Sequence, residues 1–426
     1  MNIASLYEIY LRYPSVQTDT RKLKKGDLFF ALKGPSFNGN EFAAKAIELG
    51  AGYVVIDDER YSVEGRTFLV EDVLTALQQL AKHHRQQFQI PFLAITGSNG
   101  KTTTKELIHA VLSARFKTYT TEGNLNNHIG VPLTLLKMRK DAEMAVIEMG
   151  ANHIGEIASY CEIALPTHGL ITNCGKAHLE GFGGVEGVRK GKGELFDHLR
   201  KHEGTAFIMK DYDYLQEMSR GISRIISYGT NDAEITGRAT EQVQYLEVMF
   251  EKGMKGNIKT QLVGDYNLPN VLAAVAVGKF FGVEEENIRA SIEHYEPTNS
   301  RSQLVKKGSN TIILDAYNAN PSSMKAAISN FARANHTDKI LALGGMAELG
   351  TDSVKEHQDI VNEINQHSWK EVLLVGGDFL KLNHPYQQFT TPEEAGKWIK
   401  ENNISEASWL IKGSRSMQME KLMDYL

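Results

Sequence analysis

The sequence predicts an α/β protein of three domains, from its length and from the order of its apolar runs. A chain of 426 residues is longer than one hydrophobic core usually supports, and about 150 residues per domain suggests three domains. After residue 90, apolar runs such as "FLAI" and "MAVIEM" alternate with long helical patterns. This alternation is typical of a mostly parallel sheet with helices on both faces. We place the domains at residues 1–89, 90–297 and 298–426.

The outer domains differ from the central one. Short strands such as "DLFFAL" and "GYVVID" among short helices predict a small mixed α/β N-terminal domain. Within the central domain, "SRIISYG", "VQYLEVMF" and "NIKTQLVG" predict antiparallel strands in or beside the main sheet. The last domain repeats a strand–helix rhythm from "TIILDAY" to "SWLIKG". It predicts an open, Rossmann-like sheet with ligands beyond the carboxyl ends of its strands.

Charge and cysteine content exclude several classes of function. The 47 basic and 52 acidic residues give a net charge of −5, which offers no global attraction for nucleic acid or an anionic membrane. Cys161 and Cys174 are too few for a disulfide framework or a cysteine zinc site. We expect a cytoplasmic protein that does not bind nucleic acid.

Neither a membrane span nor a coiled coil is indicated by the apolar pattern. The longest apolar stretch, residues 271–283, is interrupted by Lys279 and is too short to cross a bilayer. The N-terminal stretch carries Glu8 and Arg12 within its apolar pattern, unlike a signal peptide. No heptad pattern indicates a coiled coil, and we expect a monomer without membrane insertion.

The stretch "AITGSNGKTTTKEL", residues 94–107, predicts a phosphate-binding loop. A strand precedes it and a helical pattern follows, which is the context such a loop requires. Gly97 and Gly100 let backbone N–H groups turn towards an anion, and Lys101 adds a positive charge beside the helix N-terminus. Ile95 occupies the first glycine position of the longer pattern G-x-x-x-x-G-K-[ST], so only the shorter T-G-x-x-G-K-T is present. We predict that this loop binds ATP through Gly97, Ser98, Asn99, Gly100, Lys101, Thr102 and Thr103.

Acidic and imidazole side chains follow the next two strands. Glu148 comes directly after "MAVI", and His178 and Glu180 follow "GLITN". Because the carboxyl ends of parallel strands meet at one edge, these side chains are expected beside the phosphate loop. Mg²⁺ favours oxygen ligands and is commonly bound by carboxylates and phosphates together. Each residue alone also fits a solvated strand end or a satisfied loop histidine, and their joint placement favours a metal site.

Longer stretches resemble the Mur ligase family over nearly the whole chain and in the family's order. They are "TDTRKLKKGDLFFALKG", "TEGNLNNHIGVPLTLL", "VIEMGANHIGEIA", "ITNCGKAHLEGFGG", "DAYNANPSSMKAA" and "IKGSRSMQME". The phosphate loop alone is shared with folylpolyglutamate synthases and does not separate these relatives. The resemblance implies an ATP- and Mg²⁺-dependent ligase of peptidoglycan precursor synthesis. It implies joining of D-Ala-D-Ala to UDP-MurNAc-tripeptide through an acyl phosphate.

The resemblance also implies roles for individual residues. Lys192 falls where several Mur ligases carry a carbamylated lysine, and we hypothesise that it is carbamylated and orients a second Mg²⁺. The implied metal ligands are Thr102, Glu148, His178 and Lys192, and the implied catalytic set is Lys101, Glu148, His178 and Lys192.

Further ATP-binding and substrate-binding residues are implied in the same way. Asn270, Arg301, Asp315 and Asn318 are implied to contact ATP, and Thr18, Arg21, Asn124, Asn126, Asn127 and Asn320 to contact the other substrates. The asparagine cluster also fits an ordinary turn. Three departures from the family pattern are Asn38 for an aspartate, Tyr266 for a histidine, and Ser300 before Arg301. Lys412, Ser414 and Arg415 form a polar strand-end loop with an expected role in substrate binding.

Two other functions remain open at this level. One is a related amide ligase that adds a single amino acid, or adds glutamate to folate. The other is a nucleotide-dependent switch that hydrolyses ATP without forming an amide. The sequence leaves open the third residue of the peptide, diaminopimelate or lysine, and the base that accepts a proton from the incoming amine.

Overall fold

Three larger sheets follow one another along the chain in the computed structural model, which describes residues 2–240, 245–298 and 300–426. The first sheet is parallel, with the strand order β1-β2-β5-β6, and β3 and β4 form a short hairpin. The strands are β1 (Val16–Gln17), β2 (Leu28–Phe30), β3 (Lys33–Gly34), β4 (Phe37–Asn38), β5 (Tyr53–Ile56) and β6 (Thr67–Leu69). The helices are α1 (Ile3–Arg12), α2 (Ala43–Glu48) and α3 (Val73–Arg85), with 3₁₀ turns at Thr20–Lys22, Gly39–Phe42 and Glu59–Tyr61.

The central sheet has the order β15-β14-β13-β12-β11-β10-β7-β9-β8 among the described residues. Its strands are β7 (Phe92–Thr96), β8 (Thr118–Thr120), β9 (Met144–Glu148), β10 (His168–Ile171), β11 (Thr205–Met209), β12 (Arg224–Gly229), β13 (Ile235–Ala239), β14 (Glu247–Lys252) and β15 (Asn257–Lys259). Its helices are α4 (Lys101–Ser113), α5 (Gly130–Leu136), α6 (Glu156–Ala164), α7 (Leu179–Phe182), α8 (Val185–Lys201), α9 (Asp213–Met218), α10 (Leu268–Phe280) and α11 (Glu285–Glu293). A 3₁₀ turn at Asp265–Asn267 precedes α10.

The prediction of antiparallel strands in this region is correct for β14 and β15 and wrong for β12. Strand β12 pairs parallel to both β11 and β13, whereas β13–β14 and β14–β15 are antiparallel. The short helix α9 provides the crossover that a parallel β11–β12 pair requires. Part of "VQYLEVMF" lies outside the described residues.

Helices cover both faces of the central sheet. Helix α10 packs against α4 and α11 and against strands β11 to β13, while α6 and α8 pack together with α3 and α5 on the other face. Because α10 lies between a helix and the sheet, nearly all of its residues are buried. Pro269 lies at the start of this helix, where its missing N–H costs little.

The third sheet has the order β16-β17-β21-β18-β19-β20, parallel except for the antiparallel pair β16–β17. Its strands are β16 (Gln303–Lys307), β17 (Asn310–Asp315), β18 (Lys339–Gly344), β19 (Glu371–Val375), β20 (Gln387–Phe389) and β21 (Ser408–Lys412). Its helices are α12 (Pro321–Arg333), α13 (Ser353–Ile364) and α14 (Pro392–Glu401), with 3₁₀ turns at Gly350–Asp352, Gly377–Lys381, Arg415–Met417 and Met419–Asp424. None of the helices in the described parts of the chain is long and apolar enough to cross a membrane.

Candidate active site

The loop between β7 and α4 requires glycine at two positions. Gly97 has a φ of 142° and Gly100, which caps α4, has a φ of 79°, values that disfavour any side chain. A Cβ on Gly97 would lie 2.0 Å from Thr172 Oγ1, and one on Gly100 would lie 2.6 Å from Asn270 Oδ1. The backbone therefore approaches its neighbours too closely for any other residue. It exposes the N-terminal amides of α4 at the strand end, where an anion binds favourably.

Hydrogen bonds from the loop after β10 hold this backbone in place. Asn99 N–H donates to Asn173 Oδ1 at 3.1 Å, and Thr172 Oγ1 donates to the Asn99 carbonyl at 2.6 Å. Ser98 Oγ donates to the Gly175 carbonyl at 2.9 Å. The phosphate loop is thus organised before any ligand binds, which lowers the ordering cost of binding.

The ammonium group of Lys101 lies across the phosphate loop. It donates to the carbonyl oxygens of Gly97 at 2.6 Å and of Ser98 at 3.2 Å. Burial lowers the pKa of Lys101, and the charge of Glu148 acts in the opposite direction. A phosphate group in the loop would give this ammonium a charged partner in place of the two carbonyls.

Glu148 presents an unpartnered oxygen beside the loop. Its Oε1 accepts hydrogen bonds from Thr102 Oγ1 at 3.2 Å and from Asn126 Nδ2 at 2.8 Å. Its Oε2 is buried and has no hydrogen-bond partner, and the residue is only 1 % exposed. A buried carboxylate oxygen without a partner is costly, and a cation at this point would remove that cost. The donor set of carboxylate and hydroxyl oxygens therefore fits Mg²⁺.

No ready-made cluster of protein ligands surrounds such a cation. Among the described residues, no group of three or more His, Cys, Asp and Glu side chains is arranged to hold a metal ion. This fits Mg²⁺, which is usually bound by one or two carboxylates together with substrate phosphates and water.

His178 and Lys192 occupy different surroundings. Nδ1 of His178, in the loop before α7, contacts the carboxylate of Glu348, in the loop after β18. Lys192, on α8, is 1 % exposed, donates to the Ala151 carbonyl at 2.9 Å, and lies 4.9 Å from the centre of the Phe182 ring. Burial, and then the charge of Lys101, lowers the pKa of Lys192 to about 7.

The third sheet supplies charged groups from the carboxyl ends of β17 and β21. Asp315 accepts hydrogen bonds from Lys412 Nζ at 2.5 Å and from Ser302 N–H at 3.1 Å. The guanidinium group of Arg301 stacks 3.6 Å from the centre of the Tyr317 ring. These contacts hold one acid and two cations at the face turned towards the phosphate loop.

One cleft of about 1140 Å³ brings the central and C-terminal parts of the site together. Asn320 Nδ2 donates to Asn99 Oδ1 at 2.8 Å and so joins the two regions directly. The predicted site residues that line this cleft are Ser98, Asn99, Gly100, Lys101, Thr102, Thr103, Asn124, Asn126, Asn127, Glu148, His178, Asn270, Arg301, Asp315, Asn318 and Asn320.

Family models match the chain in three successive segments. Residues 12–85 match "Mur ligase family, catalytic domain", residues 95–278 match "Mur ligase middle domain", and residues 300–415 match "Mur ligase, glutamate ligase domain". A curated relative from Bacillus subtilis (strain 168), named UDP-N-acetylmuramoyl-tripeptide–D-alanyl-D-alanine ligase, is 36% identical. That match covers 96% of this chain and 92% of the relative.

The chain belongs to the Mur ligase family.

Solved structures agree with this assignment. A crystal structure of MurF from Acinetobacter baumannii matches with a TM-score of 0.87 and 32% identity, over 96% of this chain and 92% of that one. MurF ligase from Thermotoga maritima in complex with ADP matches with a TM-score of 0.86 and 26% identity, over 97% of each chain. The predicted α/β fold with a mostly parallel central sheet and a Rossmann-like C-terminal sheet is confirmed.

Some predicted residues of this Mur ligase lie outside the cleft lining. Gly97 and Lys192 lie behind it, one at the start of the phosphate loop and one buried on α8. Thr18 and Arg21 lie in the N-terminal region, where Arg21 is exposed and pairs with Asp19. Their role in substrate binding stays a prediction.

Sequence reasoning missed residues that support the site from a second element. Thr172 and Asn173 hold the phosphate loop, Tyr317 stacks on Arg301, and Glu348 pairs with His178. All four follow the carboxyl end of a parallel strand. They would have been identified if every polar or aromatic residue just after a predicted parallel strand had been treated as a candidate site residue.

Proposed function

We propose that this Mur ligase joins D-Ala-D-Ala to UDP-MurNAc-tripeptide in the cytoplasm, with ATP and Mg²⁺, and releases UDP-MurNAc-pentapeptide, ADP and phosphate. The observation that carries the proposal is the unpartnered Glu148 oxygen beside Thr102 and the phosphate loop. It supports binding of a metal-bound triphosphate. The relatives that match nearly the whole chain carry the ligase name and support the choice of substrates.

The chemistry explains why a ligase needs such a site. A carboxylate is a poor electrophile and does not acylate an amine near neutral pH. When the γ-phosphoryl group passes to it, the resulting acyl phosphate is attacked by the amine of D-Ala-D-Ala, and phosphate leaves with its bonding electron pair. The obstacle is repulsion between the carboxylate and the triphosphate, which fixed positive groups offset.

The residues of this chain divide that work. We assign the phosphates to Lys101 and the α4 N-terminus, together with Arg301, which lines the same cleft. We assign Thr102, Glu148, His178 and Lys192 to Mg²⁺, which when bound neutralises charge on the transferring group. We assign Asn124 and Asn127, with Asn126, to the UDP-sugar substrate. Asn270 stays assigned to ATP, and it also accepts a hydrogen bond from Thr104 Oγ1 at 2.9 Å, which supports the first turn of α4.

The three regions take separate roles in this proposal. Residues 1–89 bind the UDP-sugar, residues 90–297 bind ATP, and residues 298–426 bind adenosine and the incoming dipeptide. The family-model segments support this division, because each falls within one region.

Carbamylation of Lys192 is part of the proposal. Its amine is buried and contacts a carbonyl and an aromatic ring. Carbamylation requires the neutral amine and would supply two oxygens for Mg²⁺. Native intact-mass measurement at high bicarbonate is expected to show one added CO₂, and activity is expected to fall when CO₂ is removed. An unmodified mass at high bicarbonate, together with activity that is unchanged when CO₂ is removed, would refute this assignment.

The whole proposal is tested by mass spectrometry of products formed from ATP, Mg²⁺, UDP-MurNAc-tripeptide and D-Ala-D-Ala. The tripeptide is supplied once with diaminopimelate and once with lysine as its third residue. We expect pentapeptide and ADP in equal amounts, and no amide when single amino acids or folate replace the substrates. Phosphate release without any new amide would favour a nucleotide-hydrolysing switch instead.

A further inference from the structure

We propose that Glu348 positions the imidazole of His178, so that the C-terminal domain completes the active site when it docks. This inference rests on the proposed function. It makes Glu348 a positioning residue, which acts on the reaction through His178.

The first observation is a contact between two separate domains. His178 Nδ1 is in direct contact with Glu348 Oε2, and both residues line the cleft that holds the phosphate loop. The side chain of His178 is 20 % exposed and that of Glu348 is 51 % exposed.

The second observation is backbone strain on both sides of the contact. His178 has a φ of 52° and Glu348 a φ of 61°, a region that residues with side chains seldom adopt. The two segments also meet through their backbones, because Glu180 N–H donates to the Glu348 carbonyl at 3.4 Å. Strained residues that face each other across a cleft persist only where their surroundings hold them, and such strain is concentrated at functional sites.

The consequence follows from the two nitrogens of imidazole. With Nδ1 held by a carboxylate, the ring has a fixed orientation and Nε2 remains for a second partner. A carboxylate that accepts from one ring nitrogen fixes the tautomer and raises the basicity of the other, as is usual for metal-binding histidines. Glu348 therefore prepares His178 for Mg²⁺ beside the triphosphate, and does so only while the domains are docked.

A neighbouring ion pair joins the same domains without reaching the cleft, and it provides a matched control. Lys176 Nζ pairs with Glu356 at 2.5 Å, and Lys176 N–H donates to Ser322 Oγ at 3.0 Å. Neither Lys176 nor Glu356 is among the residues that line the cleft. Removing this pair changes docking and leaves the contacts of His178 intact.

The test measures Mn²⁺ affinity of the ADP complex by electron paramagnetic resonance, alongside kcat and KM. For E348Q we expect Mn²⁺ affinity and kcat to fall about 10- to 100-fold, with partial recovery in E348D. E356Q is expected to change Mn²⁺ affinity by no more than about fivefold, through docking alone. In an H178A background, E348Q is expected to have no further effect, because the two residues act as one unit. Thermal unfolding of each variant confirms that it is folded.

Two results would overturn the inference. One is wild-type Mn²⁺ affinity and kcat in E348Q. The other is an equal loss from E348Q whether or not His178 is present. Because Mn²⁺ binding to the ADP complex needs neither tripeptide nor dipeptide, failure here is distinguishable from failure of wild-type protein to form pentapeptide, which would refute the proposed function instead.

Discussion

At the scale of single residues, Lys101 is the group whose charge the site most depends on. Its ammonium donates to two loop carbonyls. We predict that K101A lowers kcat for amide formation about 100- to 1000-fold, the usual effect of losing one fixed donor to a transition state. Product formation under saturating ATP measures this. The control is K190A, which removes an exposed lysine from α8 and should have the kcat of wild type. A K101A enzyme with the kcat of wild type would contradict the role assigned to Lys101.

Glu148 allows a prediction that concerns the metal rather than the nucleotide. Its Oε2 has no hydrogen-bond partner, and a bound Mg²⁺ would supply one, whereas ADP alone would not. A ligand at about 100 times its Kd stabilises the folded state by about 2.7 kcal/mol. We predict that E148Q loses most of the thermal stabilisation that Mg²⁺ adds to ADP.

Thermal unfolding with ADP, with and without Mg²⁺, checks this prediction. Stabilisation by ADP alone should be the same in E148Q and wild type. The control E143Q changes an exposed glutamate just before β9 and should retain the full Mg²⁺ effect. An unchanged Mg²⁺ increment in E148Q would place the metal elsewhere.

At the scale of elements, helix α3 joins the N-terminal region to the central one through a buried histidine. His84 is 6 % exposed, with Nδ1 3.1 Å from Tyr7 Oη and Nε2 3.1 Å from the Met138 carbonyl. Burial lowers the pKa of His84 to about 4 from its usual 6.5. The neutral ring donates from Nε2 to Met138 and accepts from Tyr7, and a second proton would break that arrangement.

The sign of the pH effect follows from that lowered pKa. The folded protein binds fewer protons than the unfolded chain between pH 4 and 6.5, so the stability is present above pH 6.5 and is lost as pH falls towards 4. Between pH 7.5 and 5.0 we predict that His84 costs roughly 2 kcal/mol of unfolding free energy. Urea unfolding at both pH values measures the loss of unfolding free energy between pH 7.5 and 5.0. In H84Q this loss should be smaller than in wild type by roughly 2 kcal/mol. H153Q, at a histidine whose side chain is 66 % exposed, should keep the wild-type difference.

The elements also show which parts of the fold and site were predictable. Thr102, Glu148 and His178 lie at the ends of three neighbouring parallel strands. Their proximity was predictable, because parallel pairing alone brings the carboxyl ends of such strands to one edge of the sheet. The direction of β12 was not predictable from its polar–apolar alternation, because alternation reports which face is buried and not the direction of the partner strand. Glu348 was missed for another reason. Its contact with His178 depends on how two domains dock, and no local pattern encodes that.

At the scale of the whole molecule, individual polar contacts hold the C-terminal region against the central one around the cleft. They include Asn320 with Asn99, Glu348 with His178, and Lys176 with Glu356. Each of these pairs joins a side chain that is at least partly exposed to its partner, and a single polar pair of this kind contributes about 1 kcal/mol. The bound substrates, rather than these pairs, are therefore expected to determine how fully the cleft closes.

Small-angle scattering tests this expectation. We predict that the radius of gyration decreases when a non-hydrolysable ATP analogue, Mg²⁺ and UDP-MurNAc-tripeptide are present together, and decreases less with either ligand alone, because each contacts only part of the cleft. K176M removes one pair outside the cleft and leaves the buried Glu356 without its partner. This costs about 1 to 3 kcal/mol and should shift the open–closed equilibrium at least about fivefold towards the open form. Its half-saturating ligand concentration for compaction should rise by that factor, while the fully liganded radius stays the same. A radius that does not respond to both ligands would mean that the docked arrangement is fixed, and that closure plays no part in completing the site.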